Sequence, residues 1–193
     1  FFDLEYVGLL SDALNRKYKI SFCDTNIYFS EKRIIGDYFQ KYGVPAEIDI
    51  DYLLDKNCIG FSNSAISLKI FDDLVFPDDA IAVDWWFFSK LMMEKRLKAK
   101  FIKKSLVYYR QYEYNTAGFL NLNEERILNG LKVKLAHYKN LMFDDDHRKR
   151  YEIFNDINSK MSENDFRDNY VHNVLSKYSD KKYIWWEPIV SSW

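Results

Sequence analysis

A chain of 193 residues, 48% of them hydrophobic, can bury one substantial core and is too apolar for wholesale disorder. Its 28 Lys and Arg against 29 Asp and Glu leave a net charge of −1, which removes the usual electrostatic case for a nucleic-acid binder. No run approaches the roughly 20 apolar residues of a membrane-spanning helix, and no basic stretch followed by an apolar core opens the chain, so a soluble, cytoplasmic protein is expected. Cys23 and Cys58 each lie in an apolar run without zinc-type spacing, which fits reduced thiols.

Leu4, Val7, Leu10, Leu14 and Tyr18 recur at helical spacing, so the opening segment reads as a helix. The chain starts Phe1-Phe2-Asp3 inside that pattern and without a Met, which suggests part of a longer protein. Lys19 to Cys23 alternates as a short strand that stops at Asp24. There Asp24-Thr25-Asn26 reads either as a plain turn or as a polar site beyond a strand's carboxyl end. Gly36, Gly43 and Pro45 punctuate the next stretch, with a helix expected around Asp49 to Leu54. Cys58 to Ile70 reads as a strand and a helical turn, and Phe71 to Asp79, with Pro77, as a loop.

Ala80 to Leu97 is expected to be a helix, apolar on nearly every side and therefore buried. Asp84 lies in its first turns beside Trp85-Trp86-Phe87-Phe88, where the helix dipole favours a carboxylate. Desolvating an isolated ionised carboxylate is costly, so Asp84 needs either a matched donor or a cleft. Two short strands follow, Ala99 to Ile102 and Leu106 to Arg110, joined through Lys103-Lys104-Ser105.

Past Gly118 the pattern turns helical. Asn121-Leu122-Asn123-Glu124 has capping-box spacing, and Ile127, Leu131, Leu135, Tyr138 and Met142 mark one helix face. A further helix begins at Ser162-Glu163-Asn164-Asp165 and carries Phe166, Tyr170, Val174 and Tyr178. Asp144-Asp145-Asp146 reads as a solvated loop between helices, without the spacing of a calcium loop. His137, His147 and His172 read as surface or packing residues. Residues 1–122 thus form one domain and 123–193 a helical C-terminal extension, whose aromatic end, Tyr183-Ile184-Trp185-Trp186, docks on the domain or on a partner.

Gly60-Phe61-Ser62-Asn63-Ser64-Ala65, Phe76-Pro77, Val83-Asp84-Trp85-Trp86 and Tyr108-Tyr109-Arg110-Gln111 occur in that order, followed by Asn115 and Gly118. Together they resemble the second half of family-2 glycosyltransferases of the GT-A fold, across residues 1–120. The resemblance implies an α/β fold: a partial GT-A (Rossmann-like) core carrying the acceptor side, with a helical extension. It implies transfer of a sugar from a nucleotide diphosphate sugar to an acceptor hydroxyl, with inversion, as in polysaccharide biosynthesis. Asp84 matches the catalytic base, which such chemistry needs because a sugar hydroxyl is a very weak acid.

Arg110 and Gln111 match the segment that borders the diphosphate and acceptor, and the guanidinium fork suits phosphate oxygens. A salt bridge from Arg110 to Asp84 or Asp24 is the structural alternative. Asp24 resembles an acidic residue near the donor, and Asn63, Trp85 and Asn115 complete the implied substrate-binding set. Trp85 or Trp86 could stack on a sugar, although core packing suits that run equally. The resemblance places a Mg²⁺ or Mn²⁺ on an Asp-x-Asp motif upstream of Phe1, together with the nucleotide-binding strands. Tyr112 stands where the family commonly carries His, so no metal role carries over to this chain. The implied partners are a nucleotide sugar and a carbohydrate acceptor, and peripheral membrane association is compatible with them. The competing reading is a non-catalytic protein-interaction or assembly module on a degenerate transferase core.

Overall fold

Two parallel strands, β1 (Ile20–Phe29) and β5 (Ala99–Gln111), pair along their lengths and form the centre of the molecule. The computed structural model describes residues 2–14, 17–29, 32–70, 75–111, 115, 122–178 and 183–191. Around the central pair lie β2 (Lys32–Ile35), β3 (Glu47–Ile48) and β4 (Ser64–Ile66), each antiparallel to its neighbour. The sheet runs β2-β1-β5-β3, and β4 takes the outer edge of β1 before β2 does. Between β1 and β5 the chain adds the short helices α2 (Tyr38–Lys41) and α3 (Ile50–Leu53) and the long helix α4 (Val83–Lys95). This is a mixed α/β architecture.

Both faces of the sheet are covered. Leu10 of α1 (Tyr6–Ala13) packs with Cys23, Leu106 and Val107 on one face. Phe22, Phe39, Phe88, Met92 and Phe101 build the main core on the other. Both thiols are free and buried, as apolar placement favours.

Two strand boundaries differ from expectation. β1 continues through Asp24, Thr25 and Asn26 to Phe29, although all three polar residues are buried. A strand buried on both faces usually reads as a continuous apolar run, so these polar residues disguised the second half of β1. The expected break at Lys103-Lys104-Ser105 is instead a bulge within one strand. Cys23 pairs with Ile102, Asp24 with Ser105 and Thr25 with Val107, so β5 carries extra residues there. In the 58–70 stretch the strand is β4, after the Gly60 turn rather than before it, and Leu68–Ile70 forms a 3₁₀ turn.

The helical layer comprises α5 (Glu124–Lys139), α6 (Asp145–Lys160) and α7 (Asn164–Tyr178). Asn123 caps α5 by accepting from the Arg126 amide at 3.0 Å. The Asp144–Asp146 run is not a loop: Asp144 caps α6, accepting from the Asp146 and His147 amides, and the next two acids occupy its first turn. Ile127, Leu131, Tyr138, Phe154, Ile157, Tyr170 and Val174 give this layer its own core.

The layer is tied to the sheet domain at several points. The His137 ring stacks on Trp85 at 3.7 Å, and the Tyr138 hydroxyl donates to Leu54 O. Arg150 donates to both carboxylate oxygens of Asp55, at 3.1 and 2.8 Å. The C-terminal segment then returns to the sheet domain. The Asn57 amide donates to Trp185 O at 3.1 Å, Tyr38 Oη donates to Tyr183 O, and Lys134 Nζ donates to Ile189 O at 2.6 Å. Gly130 permits this return, because a Cβ there would stand 2.6 Å from Ile189 Cγ1. Among the described residues, no helix is long and apolar enough to cross a membrane.

Candidate functional site

Asp84 stands in the first turn of α4 and borders a cavity of about 460 Å³. Its Oδ1 accepts from Asn57 Nδ2 at 3.2 Å and from the adjoining Trp85 amide at 2.8 Å. Its Oδ2 faces the Gly60 turn, where a Cβ would lie 3.2 Å from that oxygen. Glycine at 60 therefore lets the turn approach the carboxylate closely. Among the described residues no Lys or Arg pairs with Asp84, and burial without a counter-charge pushes its pKa up from 3.8 to about 6. The expectation of either a matched donor or a cleft is met by both at once, since Asp84 accepts from Asn57 and also lines the cavity.

The Gly60 to Ala65 segment supplies the wall facing Asp84. Asn63 Oδ1 accepts from the Gly60 amide at 2.6 Å, while its Nδ2 donates to Cys23 O and Cys58 O. Asn63 lines the cavity, yet its amide is committed to backbone groups, so it shapes the turn. Ser64 Oγ closes the turn by donating to Gly60 O at 2.7 Å.

The floor and far wall come from β5 and the C-terminal segment. Tyr109 projects from β5 into the cavity, and Asn115 Nδ2 donates to its hydroxyl at 3.3 Å. Burial, together with the nearby Asp84 charge, raises the Tyr109 pKa, so the phenol stays protonated at neutral pH. Trp185 packs edge-on to Tyr109 at 5.5 Å, and Trp186 also lines the cavity.

Of the residues expected at the site, Asp84, Asn63 and Asn115 are brought together at this cavity. Asp24, Trp85, Arg110 and Gln111 are not among the described residues that line it. Asp24 is fully buried and holds α2: it accepts from the Thr25 and Phe39 amides, both at 2.7 Å, from the Gln40 amide at 3.1 Å, and from Gln40 Nε2 at 2.8 Å. Its neighbour Thr25 borders the cavity instead, because successive residues of a strand face opposite ways. Trp85 is fully buried, donates from Nε1 to Leu53 O at 2.7 Å and stacks on His137, which makes it part of the join between layers. Arg110 is exposed and paired in register with Tyr28, on the side of β5 opposite Tyr109, and Gln111 is buried. The alternative of a salt bridge from Arg110 to Asp84 or Asp24 is not met: among the described residues neither carboxylate pairs with a cation. Tyr112 and Gly118 lie outside the described residues.

Sequence reasoning missed Asn57, which orients Asp84, and the role of Trp186. Asn57 sits just before the Cys58 to Ala65 run, and its Oδ1 accepts from the Ile59 amide, a local turn signal that could have flagged it. Trp186 is 102 positions from Asp84 in sequence, and only the fold brings the two together.

The donor set does not suit a divalent cation. Asp84 is the one carboxylate among the described lining residues, accompanied by amides, hydroxyls and a phenol, whereas Mg²⁺ sites draw on carboxylates and phosphates. A lone acid with a raised pKa suits proton transfer better. No family model matches the chain, and neither a curated protein nor a solved structure shows significant similarity to it.

Proposed function

We propose that this chain carries the acceptor side of a sugar-transfer site, on a GT-A-like α/β core, with Asp84 as the general base. The observation that supports it best is the split environment of the carboxylate. Oδ1 is held by Asn57 and the Trp85 amide, while Oδ2 lies against the Gly60 turn, at the cavity that Asp84 lines. An acid so oriented, with a pKa of about 6, is ionised at neutral pH and still basic enough to accept a proton as a bond forms.

In the proposed step an acceptor hydroxyl attacks the anomeric carbon of a nucleotide diphosphate sugar. The new C–O bond forms as the bond to the diphosphate breaks; the hydroxyl proton passes to Asp84 Oδ2, and the nucleoside diphosphate leaves with the bonding electron pair. Direct displacement of this kind inverts the anomeric centre. Asn115 and the Tyr109 hydroxyl lie where they could orient the acceptor's other hydroxyls. Among the described lining residues the donors do not suit a metal ion, and no step here runs through one.

The assembly-module reading draws on an aromatic end that is free to recruit a partner. Trp185 instead packs on Tyr38, Phe39 and Tyr109, which favours the reading in which that end builds the site. In the protein that carries this chain, Asp84→Asn is expected to lower transfer about 10²- to 10⁴-fold, the usual scale for a general base, with an unchanged circular dichroism spectrum. Transfer within threefold of the parent would remove Asp84 from the mechanism.

A further inference from the structure

Trp185 and Trp186 of the C-terminal segment are neighbours with different surroundings. Trp185 is enclosed by the rings of Tyr38, Phe39 and Tyr109. Trp186 is half-buried and lines the cavity, yet among the described residues no ring packs against it and nothing accepts from its Nε1. Its backbone is also unusual. Trp186 has φ of 70°, in the left-handed region that a bulky residue rarely adopts, and such conformations persist only where the surroundings enforce them. The enforcement is visible from behind: Pro188 and Ile189 are buried, and the chain rests on Gly130 of α5, whose missing Cβ would stand 2.9 Å from Ile189 Cδ1 and 3.8 Å from Trp186 Cε3.

We propose that Trp186 is the ligand-stacking platform of this cavity and that it selects a pyranose ring for presentation to Asp84. The inference rests on the sugar-transfer reading and deepens it by assigning the acceptor's ring to a named side chain. A pyranose has an apolar C–H face and a rim of hydroxyls. The cavity has a matching division, with the Trp186 indole on one wall and Asp84, Asn115 and the Tyr109 hydroxyl on others. Its volume of about 460 Å³ lies within the ordinary range of small-molecule sites. The C-terminal segment is thereby a wall of the site, positioned through Gly130 by the helical layer.

The test uses the chain labelled with ¹⁵N, with the Trp186 indole N–H signal assigned by its loss in Trp186→Phe. The probes are methyl β-D-glucopyranoside, methyl β-D-galactopyranoside and methyl α-D-mannopyranoside, with mannitol as an acyclic polyol that has hydroxyls and no ring face. At least one glycoside is expected to shift the Trp186 signal saturably, and mannitol is not. Trp186→Ala should weaken that glycoside about tenfold, the scale of one good aromatic contact, while Trp186→Phe holds it within about threefold. Gly130→Ala, which displaces the wall from outside the cavity, should also weaken it. Glycosides that shift the Asp84 and Asn115 backbone signals but leave Trp186 unmoved, or that bind Trp186→Ala as well as the parent, would overturn the platform and leave the base assignment standing. Glycosides that shift neither set would overturn both.

Discussion

The region around Asp24 and the cavity around Asp84 each set an aspartate beside aromatic residues, fully buried at Asp24 and half-buried at Asp84, and they treat it in opposite ways. At Asp24 both carboxylate oxygens are engaged, by the Thr25, Phe39 and Gln40 amides and the Gln40 side chain. At Asp84, Asn57 and the Trp85 amide both donate to Oδ1, and Oδ2 lies against the Gly60 turn at the cavity that Asp84 lines. Burial raises the pKa of each, but at Asp24 four hydrogen bonds oppose the shift, and two of them tie the group to the backbone of α2. The contrast shows that burial alone does not mark a reactive acid. On the proposed reading, what marks it is an oxygen left available to a ligand, on a side chain whose other oxygen is fixed.

The contrast can be broken most sharply at Asp24. Asp24→Ala leaves the buried Phe39 amide and the part-buried Gln40 amide without their acceptor, and each such loss costs about 1–3 kcal/mol. A destabilisation of about 3 kcal/mol or more is therefore expected in urea denaturation. A change under about 0.5 kcal/mol would show that the α2 cap is dispensable, and the two aspartates would no longer differ in kind.

Asp84→Asn is expected to act in the other direction on stability. A carboxyl whose folded pKa is about 6, against 3.8 when unfolded, binds its proton more tightly in the folded state. Its contribution is therefore most favourable below pH 3.8 and declines as pH rises to about 6, then stays constant. The amide cannot ionise and Asn57 can still donate to its oxygen, so above pH 6 Asp84→Asn should gain up to about 3 kcal/mol over the parent. Near pH 3.5 that gain should largely vanish. A variant less stable than the parent at pH 7 would mean that Asp84 is held as Asp24 is. Lost transfer together with gained stability is the signature of a group retained for chemistry.

The sequence was most legible where period and chemistry agreed. The apolar run after Asp84 fixed α4 as a buried helix, and Asn123 marked the start of α5. Helix α4 ends at Lys95, two positions before the expected limit at Leu97, because Arg96 turns left-handed and its amide bonds back to Met92 and Met93. The second half of β1 was hidden because Asp24, Thr25 and Asn26 look like a turn, and the acceptors and donors that make their burial tolerable lie on other elements. Helix α6 was hidden because its three leading acids resemble a solvated loop, although a cap and a first turn favour acids for the same electrostatic reason.

At the site itself, Asp84 was legible because a carboxylate among aromatics demands an explanation. Asn63 and Asn115 line the cavity, whereas Trp85 followed the helix spacing into the core and Arg110 followed strand alternation to the opposite face of β5. The aromatic end at Tyr183 to Trp186 could be expected to dock. Where it docked depended on Gly130 and Asn57, whose long-range contacts leave no periodic signal.

The most direct measurement is a ¹³C carboxyl titration of this chain by NMR, with Asp84 assigned through Asp84→Asn. A midpoint near pH 6 is expected, with the Trp85 amide signal titrating in step because it donates to the same carboxylate. A midpoint at or below the ordinary aspartate value of about 3.9 would contradict a buried, uncompensated carboxylate and would remove the basis for assigning Asp84 as the base.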